Sequence, residues 1–311
     1  MKVKHVLSLA EIGPQNLSYL VTRGLAMAHD ENENSRPLEG KIVGIYFRGP
    51  STRTRTSFTV AALKLGAQTI SYGANDLQIS TGETIQDTTR VLSGYLDALV
   101  IRTNETIEEM NALAQQDRMS IINAMSANEH PTQAIADLIT LQEAFGQLDG
   151  IHVLYLGEGN NTAAALALAV ALTPGMRLTL VTPAGYGLCE CLLQSIYSLA
   201  RRNRSLVEHH HRIDDLPQLV DAVYTTRWST MGVEKKDVQW RTGFESFTVT
   251  SELMQRVSKP AKTYFLHDLP AVRGDDVVDE VLDGPQSLAF VQAQHKLSSA
   301  MAVLEWCLAP L

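Results

Sequence analysis

Ser51, Thr52, Arg53 and Thr54 stand together in the run Phe47-Arg48-Gly49-Pro50-Ser51-Thr52-Arg53-Thr54-Arg55-Thr56-Ser57-Phe58. Hydroxyls packed around a guanidinium suit an anion with several oxygens, because the guanidinium fork matches phosphate and each hydroxyl adds a donor. Their position sharpens that reading. Lys41-Ile42-Val43-Gly44-Ile45-Tyr46 ahead of them reads as a short apolar strand, and Thr59-Val60-Ala61-Ala62-Leu63-Lys64-Leu65-Gly66 behind them as a helix ended by glycine. They therefore open a helix, where free backbone N–H groups and the dipole favour negative charge. The pattern is not a Walker loop, because G-x-x-x-x-G-K-[ST] is absent. The bland alternative is an ordinary N-cap with solvated arginines.

Arg102 closes the apolar run Ala98-Leu99-Val100-Ile101. In an open parallel sheet its charge emerges at the carboxyl edge, where ligands bind; a surface ion pair is the alternative. His130-Pro131-Thr132-Gln133 opens another helix, with proline in the first turn, where its missing N–H costs little. His130 at that entry can donate to a carbonyl oxygen and stabilise charge that builds there during acyl transfer. Gln133 can read an amide-like NH2 group. A third apolar run, Tyr264-Phe265-Leu266, delivers His267-Asp268-Leu269-Pro270. The Asp268 carboxylate needs a cationic or hydrogen-bonding partner. The amine of a substrate would serve, and so would an ion pair with Arg273 or Arg48.

Ser-Thr-Arg-Thr-Arg, His-Pro-Thr-Gln and His-Asp-Leu-Pro, in this order and spacing, resemble the motifs of the aspartate/ornithine carbamoyltransferase family over most of the chain. The resemblance implies a carbamoyltransferase that moves the carbamoyl group of carbamoyl phosphate to an amino-acid amine, giving a ureido amino acid and phosphate. It implies that Ser51, Thr52, Arg53, Thr54, Gln78, Arg102, His130, Gln133, the Leu269 carbonyl and Lys296 hold carbamoyl phosphate. Arg53, Arg102, His130 and Asp268 would carry the catalysis. Asn160, Asn161, Arg227, Thr230, Met231 and Asp268 would bind the acceptor. The resemblance further implies a homotrimer in which loop 73–84 reaches a neighbouring subunit's site, and it calls for neither metal nor organic cofactor.

The acceptor half departs from both branches of the family. Ornithine-type members carry an aspartate at the position of Thr226 and a cysteine at that of Asp268. Arg227 matches an aspartate-type arginine that binds a substrate carboxylate, whereas Asn160-Asn161 and Met231-Gly232 match ornithine-type residues. The aspartate-type lysine near the end of loop 73–84 is missing; Ser80-Thr81-Gly82 stands there. Lys296 occupies the place of a family arginine. A diamino acid satisfies both Arg227 and Asp268: ornithine, or a shorter homologue such as 2,3-diaminopropionate. Aspartate carbamoyltransferase and a non-catalytic carbamoyl-phosphate-binding paralogue are the alternatives. A nicotinamide-dependent oxidoreductase would use Gly157-Glu158-Gly159, but the third glycine of G-x-G-x-x-G is absent.

The chain has 311 residues, 45% of them hydrophobic, which exceeds one comfortable core and predicts two domains. The net charge of −8 argues against nonspecific nucleic-acid binding through a basic surface. Cys189, Cys191 and Cys307 show neither zinc spacing nor a disulfide framework, which predicts a reducing, cytoplasmic setting. Cys189 and Cys191 read as ordinary helix residues. No run is apolar enough for a membrane span, and no signal peptide is read ahead of the first domain. His209-His210-His211 on one short strand would alternate faces, which makes a poor metal site.

Helical periodicity is read over 1–30, 59–66, 87–95, 106–115, 134–145, 162–172, 190–200 and 293–308. Strands are read over 41–46, 68–72, 98–102, 120–124, 151–156, 177–181, 222–226 and 264–266. Their alternation predicts an α/β fold of two doubly wound parallel-sheet domains joined by interdomain helices. Gly146–Gly150 reads as the boundary. The expected division is 1–146 for the carbamoyl-phosphate domain and 147–288 for the acceptor domain. Residues 289–311 form a last helix that, by the resemblance, packs back on the first domain.

Overall fold

A computed structural model describes residues 3–29, 35–229, 235, 237, 239–260 and 262–309. They divide into two compact units, Met1–Ile139 with Gln294–Leu311, and Thr140–Ala293. The first contains α1 (Leu9–Ala28), β1 (Ile42–Phe47), α2 (Arg53–Lys64), β2 (Gln68–Tyr72), α3 (Ile85–Leu92), β3 (Ala98–Arg102), α4 (Glu108–Leu113), β4 (Ser120–Met125) and the start of α5 (Pro131–Phe145). Its parallel strands run in the order β2-β1-β3-β4. The second contains β5 (His152–Leu156), α6 (Asn161–Leu172), β6 (Arg177–Val181), α7 (Glu190–Asn203), β7 (Leu206–His210), β8 (Ala222–Thr225), α8 (Ser251–Val257), β9 (Tyr264–His267) and α9 (Asp279–Leu282). Its parallel order is β7-β6-β5-β8-β9. The last helix, α10 (Ala289–Leu308), belongs to the first unit from Gln294 onward.

Burial explains these elements. β3 is buried along its whole length, as a central parallel strand covered on both faces must be. β4 lies at the sheet edge and is buried too, because Val6 pairs with it: the Val6 N–H donates to Ile121 O, and the Asn123 N–H donates to Val6 O. That pairing corrects the expectation of a helix from residue 1; α1 begins only at Leu9, and kinks at Gly13 (φ 75°) before Pro14. Every residue of α6 is buried, which its run of small alanines permits. Loop 73–84 contains a short 3-10 turn, Gln78–Thr81. His209 on β7 and His211 just past its end stand on one side, as alternation requires, with rings 4.8 Å apart. Among the described residues no helix is long and apolar enough to cross a membrane.

In each sheet the strand order reverses once, between β1 and β3 in the first and between β5 and β8 in the second. Open parallel sheets bind ligands outside the carboxyl ends at such a point. Phe47 stands in register with Arg102 there, and Leu156 with Thr225. The candidate residues that follow β1, β3, β5 and β8 thus leave the sheets where the topology favours a ligand.

Candidate active site

The first unit's residues begin where β1 ends. Thr52 is the N-cap of α2 but makes no side-chain cap, and the first turn carries no acidic residue. The helix N-terminus keeps its preference for an outside anion. Ser51 Oγ is buried with no hydrogen-bond partner among the described residues. A buried hydroxyl costs stability unless some partner satisfies it. Thr54 is buried, and its Oγ1 accepts a 3.3 Å bond from Arg102 Nη1. That bond ties the end of β3 to the first turn of α2 and leaves the Thr54 O–H able to donate. The neighbouring arginines are used otherwise. Arg48 donates to Glu109 at 2.6 Å and to the Tyr46 hydroxyl at 2.8 Å, and Arg55 lies 5.3 Å from the centre of the Phe47 ring.

His130 enters α5 only 4% exposed. Burial, with the charges of Lys296 and Arg102, holds its pKa well below the ordinary imidazole range. The ring is therefore a neutral donor near pH 7. Its Nδ1 has no partner among the described residues. Gln133 donates from Nε2 to Asp137 Oδ1 at 2.7 Å, and its Oε1 accepts from Lys296 Nζ. A lysine only donates and a carboxylate only accepts, so the two partners fix which end of the amide is oxygen. Lys296 arrives on α10, where Ser299 Oγ also donates to Thr132 O at 2.8 Å. Glu129, next to His130, is buried and accepts the Leu9 N–H at 2.8 Å; burial raises its carboxyl pKa to about 7. Gln78 is exposed on its turn, where Oε1 accepts from Thr81 Oγ1 at 2.6 Å.

In the second unit β5 delivers Gly157-Glu158-Gly159-Asn160. A Cβ on Gly159 would stand 2.5 Å from both the Gly187 carbonyl carbon and Leu188 N, so only glycine fits. That glycine serves the packing of two turns. Asn160 caps α6, its Oδ1 accepting from Thr162 N at 3.0 Å and Ala163 N at 3.1 Å. Asn161 is the first helical residue and is buried. Asp268, just past β9, is held on both oxygens: Thr226 Oγ1 donates to Oδ1 at 2.9 Å and Thr162 Oγ1 to Oδ2 at 2.8 Å. An ion pair between Asp268 and Arg273 is not formed, because Arg273 bridges Asp279 and Asp283 at 2.6 Å each. His267 steadies the strand end, meeting Asp276 Oδ2 through Nε2 at 2.7 Å and accepting the Leu269 N–H on Nδ1 at 2.8 Å. Leu269 follows with a left-handed φ of 52°. Arg227 Nε and Trp228 Nε1 are buried without a hydrogen-bond partner among the described residues. Thr230 and Met231 lie outside those residues.

Asp137 and Thr162 join these constellations although no motif singles them out. Asp137 has one legible signal, since it lies one helical turn after Gln133 on the same face. Thr162 follows the Asn160-Asn161 pair directly.

The family model "Aspartate/ornithine carbamoyltransferase, carbamoyl-P binding domain" matches residues 4–143, and "Aspartate/ornithine carbamoyltransferase, Asp/Orn binding domain" matches residues 149–307. The ornithine carbamoyltransferase of Oceanobacillus iheyensis is 37% identical over 310 residues, 98% of this chain and 94% of that protein. That of Acidothermus cellulolyticus is 36% identical over 307 residues, 98% of this chain and 97% of the relative. The solved structure of ornithine carbamoyltransferase from Pyrococcus furiosus matches with a TM-score of 0.92 at 33% identity, covering 100% of this chain and 98% of that one. Two successive domain models in the family's order, near-complete relatives and the shared pair of parallel sheets lead to one conclusion: the chain belongs to the aspartate/ornithine carbamoyltransferase family.

Proposed function

We propose that this carbamoyltransferase acts on a diamino acid, with ornithine the first acceptor to test. The observation that carries the acceptor class is the Asp268 carboxylate, fixed by the Thr162 and Thr226 hydroxyls and 15% exposed. Each of its oxygens keeps a further lone pair, and an ammonium suits it. Arg227, whose buried Nε has no partner among the described residues, suits an acceptor carboxylate. Aspartate fits less well, since Asp268 would repel its second carboxylate. The names of the relatives favour ornithine. The departures at Thr226 and Asp268 keep 2,3-diaminopropionate in the comparison.

In this reading the first unit holds the donor and the second the acceptor. Ser51, Thr52, Arg53, Thr54 and Arg102 receive the phosphate oxygens. Arg53, Thr54 and neutral His130 donate to the carbamoyl carbonyl oxygen, where charge develops. Gln133 Oε1 and the Leu269 carbonyl accept from the carbamoyl NH2. The acceptor ammonium has a reference pKa of about 10.4, so it must lose a proton first. Asp268 and the phosphate group are the two bases at hand, one for each proton the acceptor nitrogen gives up. The freed nitrogen attacks the carbamoyl carbon and a C–N bond forms. The tetrahedral intermediate then breaks its C–O bond, the electron pair leaves on phosphate, and the second proton of the attacking nitrogen goes with the departing phosphate. Orientation and preorganised donors supply the rate gain. A homotrimer, with exposed Gln78 on loop 73–84 offered to a neighbouring site, belongs to the same proposal.

The test is phosphate release from carbamoyl phosphate with ornithine, 2,4-diaminobutyrate, 2,3-diaminopropionate, lysine, putrescine and aspartate. One strong diamino acid acceptor and its ureido product are expected. Turnover with aspartate alone, or with no amine while carbamoyl phosphate still binds, would overturn the reading.

A further inference from the structure

Between β8 and α8 the second unit makes a long excursion that begins with Thr226 and Arg227. Lys235 lies within it, and its side chain is only 6% exposed. Lysines are seldom so buried unless something replaces their water. Here three aromatic rings and a carboxylate do so. The ammonium lies 4.5 Å from the Tyr186 ring centre, 4.9 Å from that of Phe244 and 5.0 Å from that of Trp240. It also donates to Glu158 Oε1. Ring faces and a carboxylate around one ammonium form a cation cage. No step of the proposed chemistry uses it.

The walls of the cage come from separate parts of the unit. Glu158 belongs to the turn between β5 and α6, beside Asn160 and Asn161. Tyr186 belongs to the turn after β6, and its carbonyl accepts the Gly159 N–H at 2.7 Å. Phe244 and Trp240 come from the excursion's return towards α8. Phe244 also packs 5.5 Å from Trp228, the residue after Arg227. Lys235 therefore links the turn bearing the asparagines to the stretch bearing the arginine.

We propose that Lys235 is a clasp: its caged ammonium fastens the excursion after β8 onto the turns after β5 and β6, and so positions Arg227 for the acceptor carboxylate. Lys235 is a positioning residue. The inference rests on the reading of Arg227 and Asn161 as acceptor residues.

Lys235→Met keeps the apolar stem and removes the charge; Lys235→Arg keeps a cation that can lie over the rings. Steady-state kinetics on the full chain should show the acceptor KM of Lys235→Met raised roughly tenfold, as the loss of one cation–π and carboxylate site allows. The carbamoyl phosphate KM should stay within about twofold, and Lys235→Arg should recover most of the change. Amide hydrogen exchange should quicken at 227–229 and 239–244 in Lys235→Met and stay unchanged in β1 to β4. Unchanged exchange at 227–229 and 239–244 would overturn the clasp. Faster exchange with an unchanged acceptor KM, or both KM values rising together, would overturn its link to the acceptor. Failure of the proposed function is visible separately, as absence of turnover in the unaltered protein, and the exchange measurement then decides the clasp alone.

Discussion

The carboxyl edges of the two sheets present opposite chemistry. At the first, Arg102 and Lys296 bear on a neutral His130, and the buried Ser51 Oγ and His130 Nδ1 have no partner among the described residues. At the second, a carboxylate stands at the strand exit with its hydrogen bonds already made by Thr162 and Thr226. On the proposed reading the first edge offers donors to the oxygens of a ligand. The second holds a negative group still. Each edge contains one switch point of a parallel sheet, so the layers do not distinguish them; the side chains at the strand exits do.

Removing the cation from the first edge should have the largest effect. Arg53→Ala should lower kcat/KM by about 10³-fold with every acceptor, because the donor clamp is common to all. Ordinary phosphate release in that variant would break the contrast at its cationic end.

Next comes the way each edge treats a carboxyl group. Asp268 is partly open and doubly hydrogen-bonded, whereas Glu129 is buried with its pKa raised from 4.5 to about 7. A raised carboxyl pKa favours the protonated folded state. The stability it contributes is full below pH 4.5 and is lost as pH rises towards 7. The loss amounts to about 3 kcal/mol. Glu129→Gln keeps an acceptor for the Leu9 N–H and should flatten that part of the stability profile. Denaturant midpoints measured across this range check it, and an unchanged slope would show that burial at Glu129 does not act this way.

The smallest effect sharpens the second edge. Asp268→Cys should shift acceptor preference towards ornithine by about tenfold. Thr226 touches Asp268, so Thr226→Asp combined with Asp268→Cys should differ from the sum of the single changes. An acceptor profile that stays the same in both variants would show that Asp268 does not select the substrate.

The first edge was largely legible in the sequence because its residues are contiguous. A strand, a proline turn and a helix start carry Ser51 to Thr54 in one run, and local rules apply to it. The second edge was not, because the partners of Asp268 lie 106 and 42 positions away. Nothing at Thr162 or Thr226 marks them as carboxylate donors until the strands are side by side. Arg273, one of the alternative partners read for Asp268, pairs with Asp279 and Asp283 instead. The alternation of strands and helices gave the parallel sheets, since long apolar periods survive tertiary context. Short features escaped it. Val6 and Leu7 serve a sheet edge as readily as a helix, and the Gln78–Thr81 turn is too brief to show a period.

Lys296 meets Gln133 across 163 positions of sequence. On a ribosome, that separation becomes time. The second unit, Thr140–Ala293, has been made in full before Lys296 is added. At the usual pace of synthesis the interval from Gln133 to Lys296 is on the order of ten seconds. The inserted unit can close its own core during that wait, while the Gln133 amide still lacks its ammonium. The part of the protein begun first is thus finished last.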